Sequence, residues 1–184
     1  MEKIKSGWYL LYTRPKFERK VSITLADLKI ENLLPVTEEM RASRNRRRKV
    51  YTLLFPRYVF VRLDALETYY KSLAVDGVSN FVRFGKEWAL VKESVISNLQ
   101  IINGKREEIE VLDRHFSPSE QLVINSGPFK GLQCELIQIN GKRKGLVRVS
   151  LLQRSILVSL NWDKLERISD TALFTRNSNL HSHP

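Results

Sequence analysis

Gly77-Val-Ser-Asn-Phe-Val-Arg-Phe-Gly85 reads as a turn followed by a strand, and the segments before and after it supply the rest of a small α/β layer. Upstream, Gly7 to Thr13 alternates aromatic and aliphatic residues in a β-type run, and Pro15 follows as a helix-start signal. From Lys16 to about Lys29, Phe17, Val21, Leu25 and Leu28 recur at helical spacing while Lys16, Arg19, Lys20 and Asp27 fall elsewhere. One face of that helix packs and the other is charged. Glu31 to Pro35 leads into a second strand. Val50 to Leu63 is rich in β-branched and aromatic residues; within it Tyr58, Phe60 and Arg62 share one face and Val59, Val61 and Leu63 the other. Both faces carry apolar side chains, so both are expected to be covered.

Between these strands Arg41 to Lys49 has six basic side chains and no apolar residue larger than Ala, the composition of an exposed loop or hairpin tip. Leu66 to Val75 reads as a helix and Ala89-Leu-Val as a short strand. Ser94 is placed to cap a last helix reaching about Asn103, with Val95, Ile96, Leu99 and Ile102 as its apolar stripe. This order predicts an α/β sandwich with an antiparallel sheet over residues 1–104, within an overall α+β chain. In residues 105–118 the apolar periodicity lapses, as in a linker. Residues 119–169 show short β runs broken at Ser126-Gly-Pro, Asn140-Gly and Asn161, matching a small β-barrel, and Asn140-Gly141 is a hairpin-turn signal. Residues 170–184 are polar and read as a disordered tail.

The 184 residues carry 31 Lys and Arg against 20 Asp and Glu, a net charge of +11, which points to a polyanionic partner such as nucleic acid. The excess is concentrated at the start: residues 1–50 hold 13 basic and 6 acidic side chains, net +7, against +1 over 51–109 and +3 over 110–184. Cys134 is the only cysteine, which excludes an intrachain disulfide and fits a reducing, cytoplasmic compartment. There is no signal-peptide run and no stretch of membrane-spanning length, so no membrane partner is expected. Nothing assembles into a reaction centre. Of three histidines, one lies in the linker stretch and His181 and His183 in the tail, without metal-site spacing, and no phosphate-cradling glycine loop is present. No enzyme activity, metal or cofactor is expected.

Gly77 to Gly85, Trp8-Tyr-Leu-Leu-Tyr-Thr-Arg-Pro-Lys-Phe-Glu-Arg-Lys20 and Leu54-Phe-Pro-Arg-Tyr-Val-Phe-Val61 together resemble the N-terminal domain of the NusG family of transcription elongation factors. Val123-Ile-Asn-Ser-Gly-Pro-Phe-Lys-Gly-Leu-Gln-Cys-Glu-Leu-Ile-Gln-Ile139 resembles the KOW motif of the same family's C-terminal domain, with an SH3-like barrel fold. The resemblance covers roughly residues 5–168, and GVSNFVRFG is nearly that of the specialised RfaH-like paralogues. It implies a processivity or antitermination factor acting on particular operons and binding the coiled-coil clamp helices of the RNA polymerase β′ subunit. Phe55, Tyr58, Phe60, Phe81, Phe84, Ile96 and Leu99 form an apolar set expected to stay partly exposed as a partner site, and the resemblance carries the clamp contact to Tyr58, Phe60, Phe81, Ile96 and Leu99.

Two basic groups are assigned to upstream or non-template DNA: Arg14, Lys16, Arg19 and Lys20 near the first helix start, and Arg44, Arg46, Arg47, Arg48 and Lys49 in the basic run, whose mutual repulsion a polyanion relieves. Tyr69, Tyr70 and Lys71 are added as candidates for contact with unpaired bases, although helical spacing places one of the tyrosines in the core. Thr68-Tyr-Tyr-Lys71 and Asp76, which stands where a basic residue is usual, depart from the RfaH pattern, so any recognised sequence should differ. Leu152 and Arg154 resemble the segment through which NusG-type KOW domains hold a small-subunit ribosomal protein or the termination factor Rho; Gln153 stands where glycine is usual, and the ribosomal partner is the one expected. The β-branched runs Leu146-Val-Arg-Val and Ile156-Leu-Val predict a constitutive barrel rather than a helical store. The protein is expected to act as a monomer. Two rival readings are a housekeeping NusG-type factor and a ribosome-associated KOW protein that binds RNA.

Overall fold

The alternating run at the chain start becomes the central strand of the N-terminal sheet. In the computed structural model, which describes residues 4–43, 46–105, 109–112, 121–124, 127, 129–149, 152 and 154–159, with backbone only at 41–43, 46–47 and 84, the elements follow in chain order. They are β1 (Gly7–Thr13), α1 (Glu18–Asp27), β2 (Asn32–Leu33), β3 (Val36–Ser43), β4 (Arg46–Leu53), β5 (Tyr58–Leu63) and α2 (Leu66–Leu73). Next come β6 (Val78–Phe81), β7 (Arg83–Phe84), β8 (Glu87–Trp88), β9 (Leu90–Val91) and α3 (Glu93–Ile102). The chain continues as β10 (Ile109–Leu112), β11 (Gln121–Val123), β12 (Gln133–Ile139), β13 (Lys142–Val149) and β14 (Arg154–Ser159).

The first sheet runs β2-β5-β1-β6, with β9 also on β1, and every pairing is antiparallel. The register sets Tyr9 opposite Val61, Leu10 opposite Phe60 and Leu11 opposite both Val59 and Phe81. Period-two geometry then sorts the side chains. Tyr9, Leu11, Val59, Val61 and Leu63 join Val21 and Leu25 of α1 in one core, while Trp8, Leu10 and Phe60 join Ile96, Leu99 and Ile102 of α3 in another. Both faces of the sheet are covered, as the two-faced apolar pattern of β5 predicts. Burying a leucine such as Leu10 or Leu11 contributes about 1.5–3 kcal/mol, and both are fully buried.

The turn that opens Gly77–Gly85 has a strict requirement. Gly77 has φ +97°, and a Cβ there would lie 2.4–2.8 Å from atoms of the Phe17 side chain. Its carbonyl accepts the Arg14 amide at 2.8 Å, which fastens this turn to the end of β1. Only glycine meets both the conformation and the close approach.

Local boundaries differ from the sequence expectation in three places, at the start of α1, at the start of the last helix and in the expected linker. Lys16 has φ +68°, so Pro15 and Lys16 form a turn and α1 starts at Glu18 behind Phe17. The last helix is preceded by Lys92 in extended backbone, not capped by Ser94, and no side chain caps it. Of the loop or hairpin tip expected for Arg41 to Lys49, the hairpin forms: β3 and β4 pair with Arg41 opposite Arg48 and Ser43 opposite Arg46, because hairpin pairing satisfies the backbone whatever the side chains are. Within the expected linker, Ile109–Leu112 forms β10 and pairs with β14.

The C-terminal region is a five-stranded antiparallel sheet in the order β10-β14-β13-β12-β11. Asn140 (φ +50°) and Gly141 (φ +74°) join β12 to β13 as a two-residue turn with both residues left-handed, as that dipeptide predicts. Leu146 to Val149 and Ile156 to Val158 lie in strands, so the described residues of this region are β, consistent with a KOW domain. The expected tail lies outside the described residues.

Candidate functional site

The apolar set assigned to a partner is more enclosed than its sequence suggests. Phe55, Phe60 and Leu99 are fully buried, and Phe81 and Ile96 nearly so. Phe55 and Phe60 meet edge to face at 6.0 Å in the shared core, which corrects the expectation that they stay exposed: their rings fill the space between the sheet and α3. Phe81 stacks on Tyr69 at 4.8 Å, and Trp88 closes on both rings at 4.9 and 5.8 Å. Phe84 lies on β7, its side chain outside the described residues. Tyr58 remains half-buried, against Tyr12 at 5.4 Å.

α3 lies between the two sheets. Asn98, nearly buried, donates from Nδ2 to the Gln133 carbonyl at 2.7 Å and accepts the Gln133 amide on Oδ1 at 2.9 Å, so its side chain completes the edge of β12 like another strand. One turn on, the Ile101 side chain comes within 3.5 Å of the position a Cβ would take on Gly131. The core that holds Ile96, Leu99 and Ile102 runs on into Leu122, Phe129, Leu132, Cys134 and Val147 of the C-terminal sheet. Burial pushes the Cys134 thiol up to about 11, with the Glu135 charge adding to it.

The first basic group is drawn together around one carboxylate. Asp76 accepts Arg14 Nη2 on Oδ1 and Lys20 Nζ on Oδ2, the latter at 2.8 Å. The Arg14 guanidinium lies 4.2 Å from the centre of the Phe17 ring, and Lys20 Nζ 5.5 Å from it. The hydrogen bond from Lys20 leads the effects that hold the Asp76 carboxyl below its usual value of 3.8; the nearby Lys20 and Arg14 charges act in the same direction. Arg19 donates to the Tyr51 carbonyl and ties α1 to the basic hairpin. Lys16 is exposed on its turn. In the hairpin Arg48 and Lys49 are exposed, Lys49 3.4 Å from buried Glu38; Arg46 and Arg47 are placed by backbone alone, and Arg44 lies outside the described residues.

Arg57, absent from the sequence assignment, links the cationic and aromatic regions. Its φ is +72°, its amide donates to buried Glu18 at 2.8 Å, its carbonyl accepts the Thr13 amide at 2.9 Å, and its guanidinium lies 4.3 Å from the Tyr12 ring centre. A positive φ at arginine has no sequence signature. The tyrosine pair is divided as helical spacing requires: half-buried Tyr69 is packed on Phe81, and Tyr70, 61% exposed, is the one left open to solvent. Lys71 pairs with Glu67 at 2.6 Å. Leu152 packs against the core and Arg154 begins β14 half-buried. Among the described residues no cluster of His, Cys, Asp or Glu could hold a metal, and no helix is long and apolar enough to cross a membrane.

A family described as "Transcription termination factor nusG" matches residues 6–100, and the chain belongs to it. Its members are non-enzymatic transcription factors, and this chain is accordingly not an enzyme. The chain is 28% identical over 181 residues to the transcription termination/antitermination protein NusG of Halalkalibacterium halodurans, covering 90% of this chain and 100% of the relative. It is 27% identical over 180 residues to the NusG of Haemophilus influenzae, covering 89% and 95%. Among solved structures, "Domain interaction in Thermotoga maritima NusG" aligns over 90% of this chain and 98% of its own, with a TM-score of 0.46 and 23% identity.

Proposed function

We propose that this chain is an elongation or antitermination factor that bridges the RNA polymerase clamp, with Tyr58 and its neighbours against the β′ clamp helices and the basic face toward upstream or non-template DNA. The observation that carries the reading is the junction at Tyr12, where half-buried Tyr58 on one side and the Arg57 guanidinium on the other join an aromatic surface to a cationic one. An apolar helix tip and a phosphate backbone could be met side by side there. Phe55, Phe60, Ile96 and Leu99 act in this reading as the floor that shapes the contact, since their side chains are inside. Action is mechanical: discouraging pausing by holding the clamp across the nucleic-acid channel.

We place it with the specialised, operon-restricted members on the strength of GVSNFVRFG and the basic hairpin. The full-length similarity to general NusG proteins favours, as a second reading, a housekeeping elongation and termination factor. Contact with a small-subunit ribosomal protein through Leu152 and Arg154 is part of the proposal, as are the division near residues 104–119, a cytoplasmic location and a monomeric state.

The test is transcription in vitro with cognate polymerase through a long template and a terminator. Wild type should increase read-through, Tyr58→Ala should abolish it, and the Arg46/Arg47/Arg48 alanine triple should reduce it. No effect of wild type on any template, including its own operon leader, would sink the reading and favour an RNA-binding role at the ribosome.

A further inference from the structure

We propose that Asp76 is a built-in competitor for nucleic-acid phosphate, its carboxylate seated between Arg14 and Lys20 where a backbone phosphate would otherwise sit, so that it restrains indiscriminate DNA binding by the basic face. This rests on the reading of that face as DNA-contacting.

The geometry is convergent. Arg14 comes from the end of β1, Lys20 from α1, and Asp76 from the turn before β6, yet the two cationic heads meet on the two oxygens of one carboxylate. The scaffold beneath is firm. Phe17 lies under both cations, Gly77 lies against Phe17, and the Arg14 amide bonds the Gly77 carbonyl. A planar guanidinium and an ammonium aimed at one point are what a phosphodiester oxygen pair requires. All three side chains are about half or more exposed, at 52% for Arg14, 61% for Lys20 and 62% for Asp76, so a phosphate has access and the ion pairs are screened. Solvent-screened surface pairs of this kind contribute little to stability, so exchanging the carboxylate for phosphate disturbs the fold little. Asp76 cancels one of the two positive charges, and a phosphate seated on Arg14 and Lys20 must displace it first.

The test is fluorescence-anisotropy titration of wild type, Asp76→Asn and Asp64→Asn with a short labelled duplex and a labelled single strand, over a range of salt. Asp64, exposed and hydrogen-bonded to the Thr68 hydroxyl at 2.6 Å, controls for the change in net charge. One freed phosphate contact steepens the salt slope by about 0.9 on the duplex and about 0.7 on the single strand, tightening binding roughly five- to tenfold at about 0.1 M salt. Asp76→Asn should show that gain on both probes, Asp64→Asn should not, and adding Arg14→Ala and Lys20→Ala to Asp76→Asn should cancel it. Equal behaviour of the two asparagine variants, or weaker binding by Asp76→Asn, overturns the inference. The reading of the basic face fails separately, if the alanine triple in the hairpin and Lys16→Ala/Arg19→Ala leave binding unchanged.

Discussion

The α3 region and the β1–α1 junction carry two of the groups of residues assigned to partners, and they are built in opposite ways. Around α3, Ile96, Leu99 and Ile102 are enclosed, and Asn98 spends its whole amide on Gln133 of the C-terminal sheet. At the junction, Arg14 and Lys20 stay in solvent and are merely paired, through an aspartate that water can also reach. Apolar side chains find one another within the chain before any partner arrives, whereas a guanidinium or ammonium cannot be taken out of water without a large desolvation cost. An apolar stripe in a sequence therefore overstates the partner surface, and a basic run does not.

The most disruptive way to test this contrast is Phe60→Ala, which should cost about 3–5 kcal/mol because the ring is enclosed against Phe55 and α3. Urea unfolding should show a lower midpoint with unchanged slope; a loss under about 1 kcal/mol would mean that Phe60 is a surface residue after all. Tyr58→Ala, half-buried, is accordingly the cleaner probe of partner binding.

Gly77→Ala should follow, with about 1–3 kcal/mol from the left-handed backbone alone and a further loss from the collision with Phe17. Thermal unfolding of the variant measures it. A neutral result would break the account of why the turn after α2 is a glycine.

Asn98→Ala leaves a backbone amide and carbonyl of Gln133 without partners, worth about 1–3 kcal/mol if they stay buried. If the strand edge instead opens to water, stability changes less and the Gln133 amide loses its protection from hydrogen exchange. Either result above background shows α3 held to the C-terminal sheet; unchanged exchange and stability would show the contact to be dispensable.

The smallest effect is chemical. With its pKa near 11, the Cys134 thiol is almost entirely protonated at pH 8 and should react with a disulfide reagent far more slowly than a free thiol, the rate rising as pH approaches 11 and jumping on unfolding. Fast reaction of the folded protein would show that this core opens readily.

Much of the fold can be read from local pattern. The two-faced apolar run of β5, the amphipathic α1, the Asn140-Gly141 turn and the β-branched runs of β13 and β14 depend on period and turn chemistry, which neighbouring residues carry. What was not legible depends on distant partners: the left-handed backbone of Arg57 is held by Glu18 and Thr13, and β10 forms because β14 offers it an edge. For the candidate sites, residue types were legible and environments were not. Nothing local separates Tyr69, stacked on Phe81, from exposed Tyr70, or tells that Asp76 closes on Arg14, 62 residues away.

The sequence alone determines the family, the α+β composition and the concentration of positive charge at the start of the chain, because motifs, periodicity and charge are properties of neighbouring residues. Tertiary structure decides which apolar residues are enclosed, that α3 is shared between two sheets, and that two cations meet over one carboxylate. Those depend on distances between residues far apart in the chain, and burial or pairing exists only once the chain has closed on itself.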